Sequence, residues 1–313
     1  MREKIGIIFR VITPFIFGGG LIFFLTRFTN LGEVGQLLAK FPTKINLLIF
    51  FSLALYFSFK FLTLSLLVKT AKLPLTFPMV AAAFAGGELA RELPIAVIFP
   101  ALAIWKKAKL GGVRIVAVPF LQVALELSAA LFFLALFGLG DLTIFHWIGI
   151  GGILAILVFL LFIENFLKIV SLVPFAKKIS LEFLTGLKNL IDFKILARFF
   201  LLALTYQFFL ALIFYQIILA IGIENVSLPQ AVSVFGANFV AAVISPLPFD
   251  LGVTESTGFL ILTHMGATPE SALSAMFAQR AIVVLSSWFL FGAICGLVFG
   301  EIRKFVFEKE GLT

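Results

Sequence analysis

The 313-residue sequence is 62% hydrophobic and only 13% charged, and it carries 41 phenylalanines. Charged and polar side chains must cover a soluble domain, and so few of them cannot, which excludes a water-soluble globular protein. The net charge of +8 is read as basic cytoplasmic loops of a membrane protein, and no nucleic-acid partner is expected.

Apolar windows of about 20 residues, the length that crosses the hydrocarbon core, recur along the chain. They predict spans at 5–25, 45–69, 114–139, 144–170, 196–222 and 281–300. The first begins close to Met1 with no small-residue cleavage site behind it, so a retained helix is expected and not a removable signal. "FGGG" at 17–20 is expected to let helices approach closely. Two further stretches, 77–104 and 229–266, are apolar but interrupted, the first by "GGELARELP" and the second by "SPLPFDLGVTESTGF". Proline removes a backbone donor, and in lipid each freed backbone group needs a partner. Broken helices survive at membrane depth only inside protein or along a wet cavity, so each stretch is drawn as a re-entrant helical hairpin.

Charge placement orients this drawing. Lys106, Lys107, Lys109 and Arg114 crowd one connection, and Lys168, Lys177, Lys178, Lys188, Lys194 and Arg198 another. The connections at 140–146 and 222–228 hold no Lys or Arg, only Asp141 and Glu224. The basic loops and both termini are therefore expected in the cytoplasm, in a cell (inner) membrane, with 26–44 outside despite Arg27, Lys40 and Lys44. One hairpin then enters from each side. The order span, span, hairpin, span occurs twice, the second time upside down, which is the inverted-topology repeat of many transporters. The fold class expected is an all-α polytopic membrane protein with about six spanning helices and two re-entrant hairpins. Residues 1–140 form the first half with hairpin 77–104. Residues 141–313 form the second, with hairpin 229–266 and an interfacial helix at 176–195 whose apolar stripe is Ile179, Phe183, Leu184, Leu187, Leu190 and Ile191.

Ionisable residues inside apolar segments are costly unless paired or wet, so they mark candidate sites. These are Glu88, Arg91 and Glu92 in the first hairpin, Glu126 in the following span, Asp250 and Glu255 in the second hairpin, and Arg280 opening the last span. On a helix Glu88 shares a face with Arg91 and Glu92. Glu255 and Arg280 are expected side by side, since the charges near them in that half are each other and Asp250. Lys60 and Glu164 are expected to snorkel to the interface. The set reads either as ion-pair glue for the hairpins or as a polar cavity for a charged headgroup.

Cys295 is the single cysteine, and His146 and His264 lie far apart, so neither a disulfide nor a metal site is expected. No nucleophile elbow or phosphate-loop lysine motif is present, so no catalytic residue and no cofactor are assigned.

The stretch "SPLPFDLGVTESTGFLILTHMGATPESALSAMFAQRAIVVLSSWFLFGAICG" (245–296) resembles the signature of the lysylphosphatidylglycerol synthase transmembrane-domain family, also called flippase-like. Pro246, Pro248, Gly252, Glu255, Gly266, Arg280 and Trp288 stand at the matching places, and "GGELAR" (86–91) resembles the family's Gly-Glu-Leu-x-Arg motif. Phe249 and Asp250 replace the usual Gly-Gly, and Gln122 and Glu126 replace a Glu-Arg…Asp pattern. The resemblance implies movement of lipids or lipid-linked headgroups between leaflets. The cytosolic aminoacyltransferase domain of the synthase members is not expected in this chain.

The first reading is thus a lipid translocase. A phosphate-bearing headgroup would pass through a polar groove between the hairpins, held by Arg91 and Arg280, with Glu88 and Glu255 fixing those arginines and Asp250 meeting a cationic headgroup. The expected partner is a membrane phospholipid or lipid-linked substrate. Two alternatives stand beside it: a membrane-embedded transferase acting on polyprenyl-phosphate-linked substrates, and an accessory subunit of a separate cytosolic or membrane enzyme.

Overall fold

The computed structural model describes residues 30–39, 41–73, 75–89, 112–138, 143–171, 174–187, 190–245, 250 and 252–307. The span expected at 5–25, the "FGGG" run, the second limb of the first hairpin and the basic connection at 106–109 lie outside the described residues.

Among the described residues all regular structure is helical. In a hydrocarbon solvent a helix satisfies its own backbone, and the long apolar runs of this chain leave no other solution. The helices are α1 (Leu31–Ala39), α2 (Thr43–Thr70), α3 (Phe77–Leu89), α4 (Gly112–Phe137), α5 (Thr143–Val170), α6 (Pro174–Leu187), α7 (Phe193–Ile221), α8 (Leu228–Ile244), α9 (Val253–His264) and α10 (Pro269–Phe307). Five of them contain segments long and apolar enough to cross a membrane: Thr43–Thr70, Ala117–Phe137, Thr143–Leu160, Phe193–Ile221 and Pro269–Phe291. The chain is an all-α polytopic membrane protein.

Three elements differ from the sequence reading. The helix expected at 176–195 stops at Leu187, and Phe193 already opens α7. The connection at 26–44 contains α1, started by the Asn30 side chain, whose Oδ1 accepts the Gly32 N–H at 3.0 Å. The last helix begins at Pro269, not near 281. Proline is preorganised for the first helical turn, Thr268 Oγ1 accepts the Ser271 N–H at 3.2 Å, and "SALSAMFAQ" holds good helix formers. Arg280 therefore does not open the last span but stands about three turns inside it.

The described residues form two compact units. One takes those up to Phe57, Leu127–Ile153 and Leu204–Val283; the other takes Ser58–Glu126, Leu154–Ala203 and those from Val284 on. In the first unit the core is built on α7, where Tyr206, Leu210, Ile213, Phe214 and Ile217 are fully buried. Ala231, Val234 and Phe235 of α8, Ile261 and Leu262 of α9, and Ala272, Leu273 and Met276 of α10 complete it. Close packing is achieved with small residues. A Cβ on Gly149 of α5 would lie 2.4 Å from the Ala135 nitrogen and 2.7 Å from the Leu131 oxygen of α4, so only glycine admits that approach.

The second unit packs through aromatic edges. Phe61 meets Phe77 at 5.6 Å and Phe84 at 5.3 Å between ring centroids, and Phe84 meets Phe291 at 5.3 Å. Phe120 of α4 meets Phe183 of α6 at 5.3 Å, and Leu187 and Leu190 of the expected stripe are buried. By contrast only 11% of the apolar window of α5 is buried within protein, against 56% for α7. Trp147, Leu154, Phe162 and Phe166 of α5 are exposed, a surface that water would not tolerate and lipid does.

In the first unit α8 packs against α9. At 17 and 12 residues they are about 26 and 18 Å long, each short of the hydrocarbon thickness. A Cβ on Gly266, just after α9, would lie 3.3 Å from the Asn225 side chain, just before α8. The chain thus leaves the pair beside the place where it entered, as a helical hairpin does. Ser227 donates its backbone N–H to Gln230 Oε1 at 2.9 Å and starts the first limb. Gly252 at φ +80° starts the second and Gly266 at φ +89° follows it, both in the left-handed region that favours glycine.

Candidate functional site

The interruption between α8 and α9 brings three of the expected residues together in the first unit. Glu255 sits in the first turn of α9, where its Oε2 accepts the Gly252 N–H at 2.9 Å and its charge meets the positive end of the helix. Its Oε1 lies 2.9 Å from Nε of Arg280 on α10, and the carboxylate is only 2% exposed. Asp250 stands three residues before α9 at φ +45°, a left-handed conformation that aspartate tolerates better than most residues. Its Oδ1 pairs with Nη2 of Arg280, and its Oδ2 accepts the Thr254 hydroxyl. One guanidinium is therefore clamped by two carboxylates from a broken helix, both charge-assisted. The expected Glu255–Arg280 contact is present.

A second cluster occupies the second unit. Lys60 Nζ of α2 lies 2.8 Å from Glu88 Oε1 on the last turn of α3 and 3.5 Å from Glu126 Oε1 on α4. Gln122, one turn before Glu126, donates from Nε2 to its Oε1 at 3.2 Å. All four residues are buried. Glu88 and Glu126, expected separately, are joined through a residue that the sequence reading placed elsewhere. Lys60 does not snorkel to an interface. It stands about 15 Å of helix from Thr70, too far for a lysine stem to reach the helix end, so two carboxylates take the place of water. That depth within the span was the available signal. Glu164, by contrast, is exposed and pairs with Lys168 at 2.8 Å, as a residue near a span end should.

Arg91 and Glu92 lie outside the described residues, so their pairing with Glu88 does too.

Each cluster has the same composition: one basic side chain in an apolar setting, met by two acids from other segments of the chain. Removing the cation leaves two acids without compensation. The side chain held in the Arg280 clamp is a planar guanidinium with five donors.

No curated protein matches the chain. The family model for the lysylphosphatidylglycerol synthase TM region matches residues 11–291 of 313. That match takes in both charge clusters, the α8–α9 pair and the described spans up to Phe291. The chain belongs to the lysylphosphatidylglycerol synthase TM region family.

Proposed function

We propose that this protein is a lipid translocase that moves a phospholipid or lipid-linked headgroup between leaflets. The observation that carries the reading is Arg280, held between Asp250 and Glu255 at a helix interruption inside an apolar chain. A purely structural pair is a costly way to fill such a place, because apolar residues of similar volume stabilise as well or better. A guanidinium masked by acids is instead ready to exchange them for a phosphate, which it grips bidentately. Asp250, released from Arg280, then meets a cationic headgroup group. Glu88, Arg91, Glu92 and Glu126 are proposed as further headgroup contacts.

In this reading 229–266 and 77–104 are re-entrant hairpins of an inverted-topology repeat in the inner membrane, with both termini cytoplasmic. The short lengths of α8 and α9 and the nearness of Gly266 to Asn225 support the second hairpin. The test is reconstitution: vesicles carrying a fluorescent phospholipid are treated with dithionite, which bleaches only the outer leaflet. Bleaching beyond that of protein-free vesicles is expected. Identical bleaching with and without protein rejects a translocase.

A further inference from the structure

We propose that Glu255 takes up a proton when Arg280 leaves it for the headgroup phosphate, so that lipid binding carries a proton into the site; this rests on the translocase reading above. Nε of Arg280 holds Glu255 Oε1 at 2.9 Å, and Nη2 holds Asp250 Oδ1. These two nitrogens form one edge of the planar fork, an edge that a phosphate can grip bidentately. A phosphate that takes this edge displaces both acids at once. One guanidinium and two carboxylates carry a net charge of −1. A phosphodiester in their midst makes it −2, and a proton on one acid restores −1.

Burial decides which acid takes it. The Asp250 side chain is 23% exposed and accepts the Thr254 hydroxyl, so water and a hydrogen bond still reach its charge. The Glu255 side chain is 2% exposed. Among the described residues its other hydrogen bond comes from the Gly252 N–H at 2.9 Å, at the N-terminus of α9. A helix end offers about half a charge, which does not match a whole one shut away from water. The charged groups that act on Glu255 are Arg280 and Asp250. Helix α8, packed against α9, carries no ionisable residue. The nearest others on α9 and α10 are His264, nine positions after Glu255, and Glu270, ten before Arg280, about 14 and 15 Å of helix away. With the guanidinium gone, a proton from water is what remains to neutralise this carboxylate. It returns to water when the phosphate leaves and Arg280 comes back.

The test is calorimetric titration of the full chain in detergent with short-chain phosphatidylmethanol, a lipid with a single negative charge and no other ionisable group. Repeating it in buffers of different ionisation enthalpy gives the number of protons taken up on binding. The wild type is expected to take up about one per lipid, and its affinity to fall about tenfold for each unit rise in pH across that range. Glu255→Gln can still accept the Gly252 N–H and is expected to bind without uptake and without that pH dependence. Binding by the wild type with no proton uptake overturns the assignment, as does a folded Glu255→Gln that takes up the proton as before. If Glu255→Gln fails to fold, the infrared difference spectrum of the wild type decides: a protonated-carboxyl band is expected on adding the lipid, and its absence overturns the assignment. Failure of the wild type to bind phosphatidylmethanol at any pH counts against the translocase reading itself, which keeps the two failures apart.

Discussion

Arg280 Nε on α10 and Glu255 Oε1 on the first turn of α9 lie 2.9 Å apart, twenty-five positions distant in sequence and joined across the interruption that opens α9. Because Asp250 holds the same guanidinium, the pair is one side of a three-way clamp. Arg280→Ala is expected to leave buried Glu255 and part-buried Asp250 uncompensated and to destabilise the protein by about 3–5 kcal/mol. Adding Glu255→Gln removes one of those charges and should recover much of the loss. Denaturant unfolding in detergent measures both, and a double variant no more stable than Arg280→Ala would mean the two do not act as a pair.

Lys60 gives an independent case. Lys60→Met should strand Glu88 and Glu126 and cost about 3–5 kcal/mol. The triple variant Lys60→Met, Glu88→Gln, Glu126→Gln should regain most of it, because neutral amides hydrogen-bond where carboxylates repel. Unfolding midpoints of the single and triple variants settle this, and equal midpoints would contradict the cluster.

Much of this architecture is legible in the sequence, and the misses have physical causes. Spans such as 45–69 and 196–222 are visible because apolar composition alone fixes them, and α2 and α7 follow within a few residues. The Arg280–Glu255 contact is predictable because few charges share that half. Lys60 escaped because its partners Glu88 and Glu126 come from two other helices, which composition cannot bring together. The start of α10 escaped because "PESALSAMFAQR" is too polar to look like a span, although its proline and alanines favour a helix.

Packing of α5 on α4 rests on Gly149. Gly149→Ala drives a methyl into backbone atoms of Ala135 and Leu131 and should cost about 1–3 kcal/mol. Gly151→Ala, where a Cβ meets nothing within 4 Å, should be neutral or slightly stabilising. Equal effects in an unfolding assay would show that the close approach is not what places α5.

Topology is checked on exposed positions of two connections. In a Cys295→Ala background, Glu224→Cys should react with an impermeant maleimide on intact cells, and Lys72→Cys should react only after lysis. Labelling of position 72 from outside would invert the proposed orientation.

The central claim, that Arg280 binds the headgroup phosphate as well as the acids, is tested most directly by dithionite bleaching of vesicles carrying the Arg280→Ala, Glu255→Gln double variant. The variant removes the guanidinium together with the more deeply buried of its two carboxylates, leaving only the part-buried Asp250 charge, so stability and transport separate. The expected result is a folded protein that leaves bleaching at the level of protein-free vesicles. A folded double variant that moves lipid at the wild-type rate would contradict the claim and leave ion-pair glue as the role of both residues.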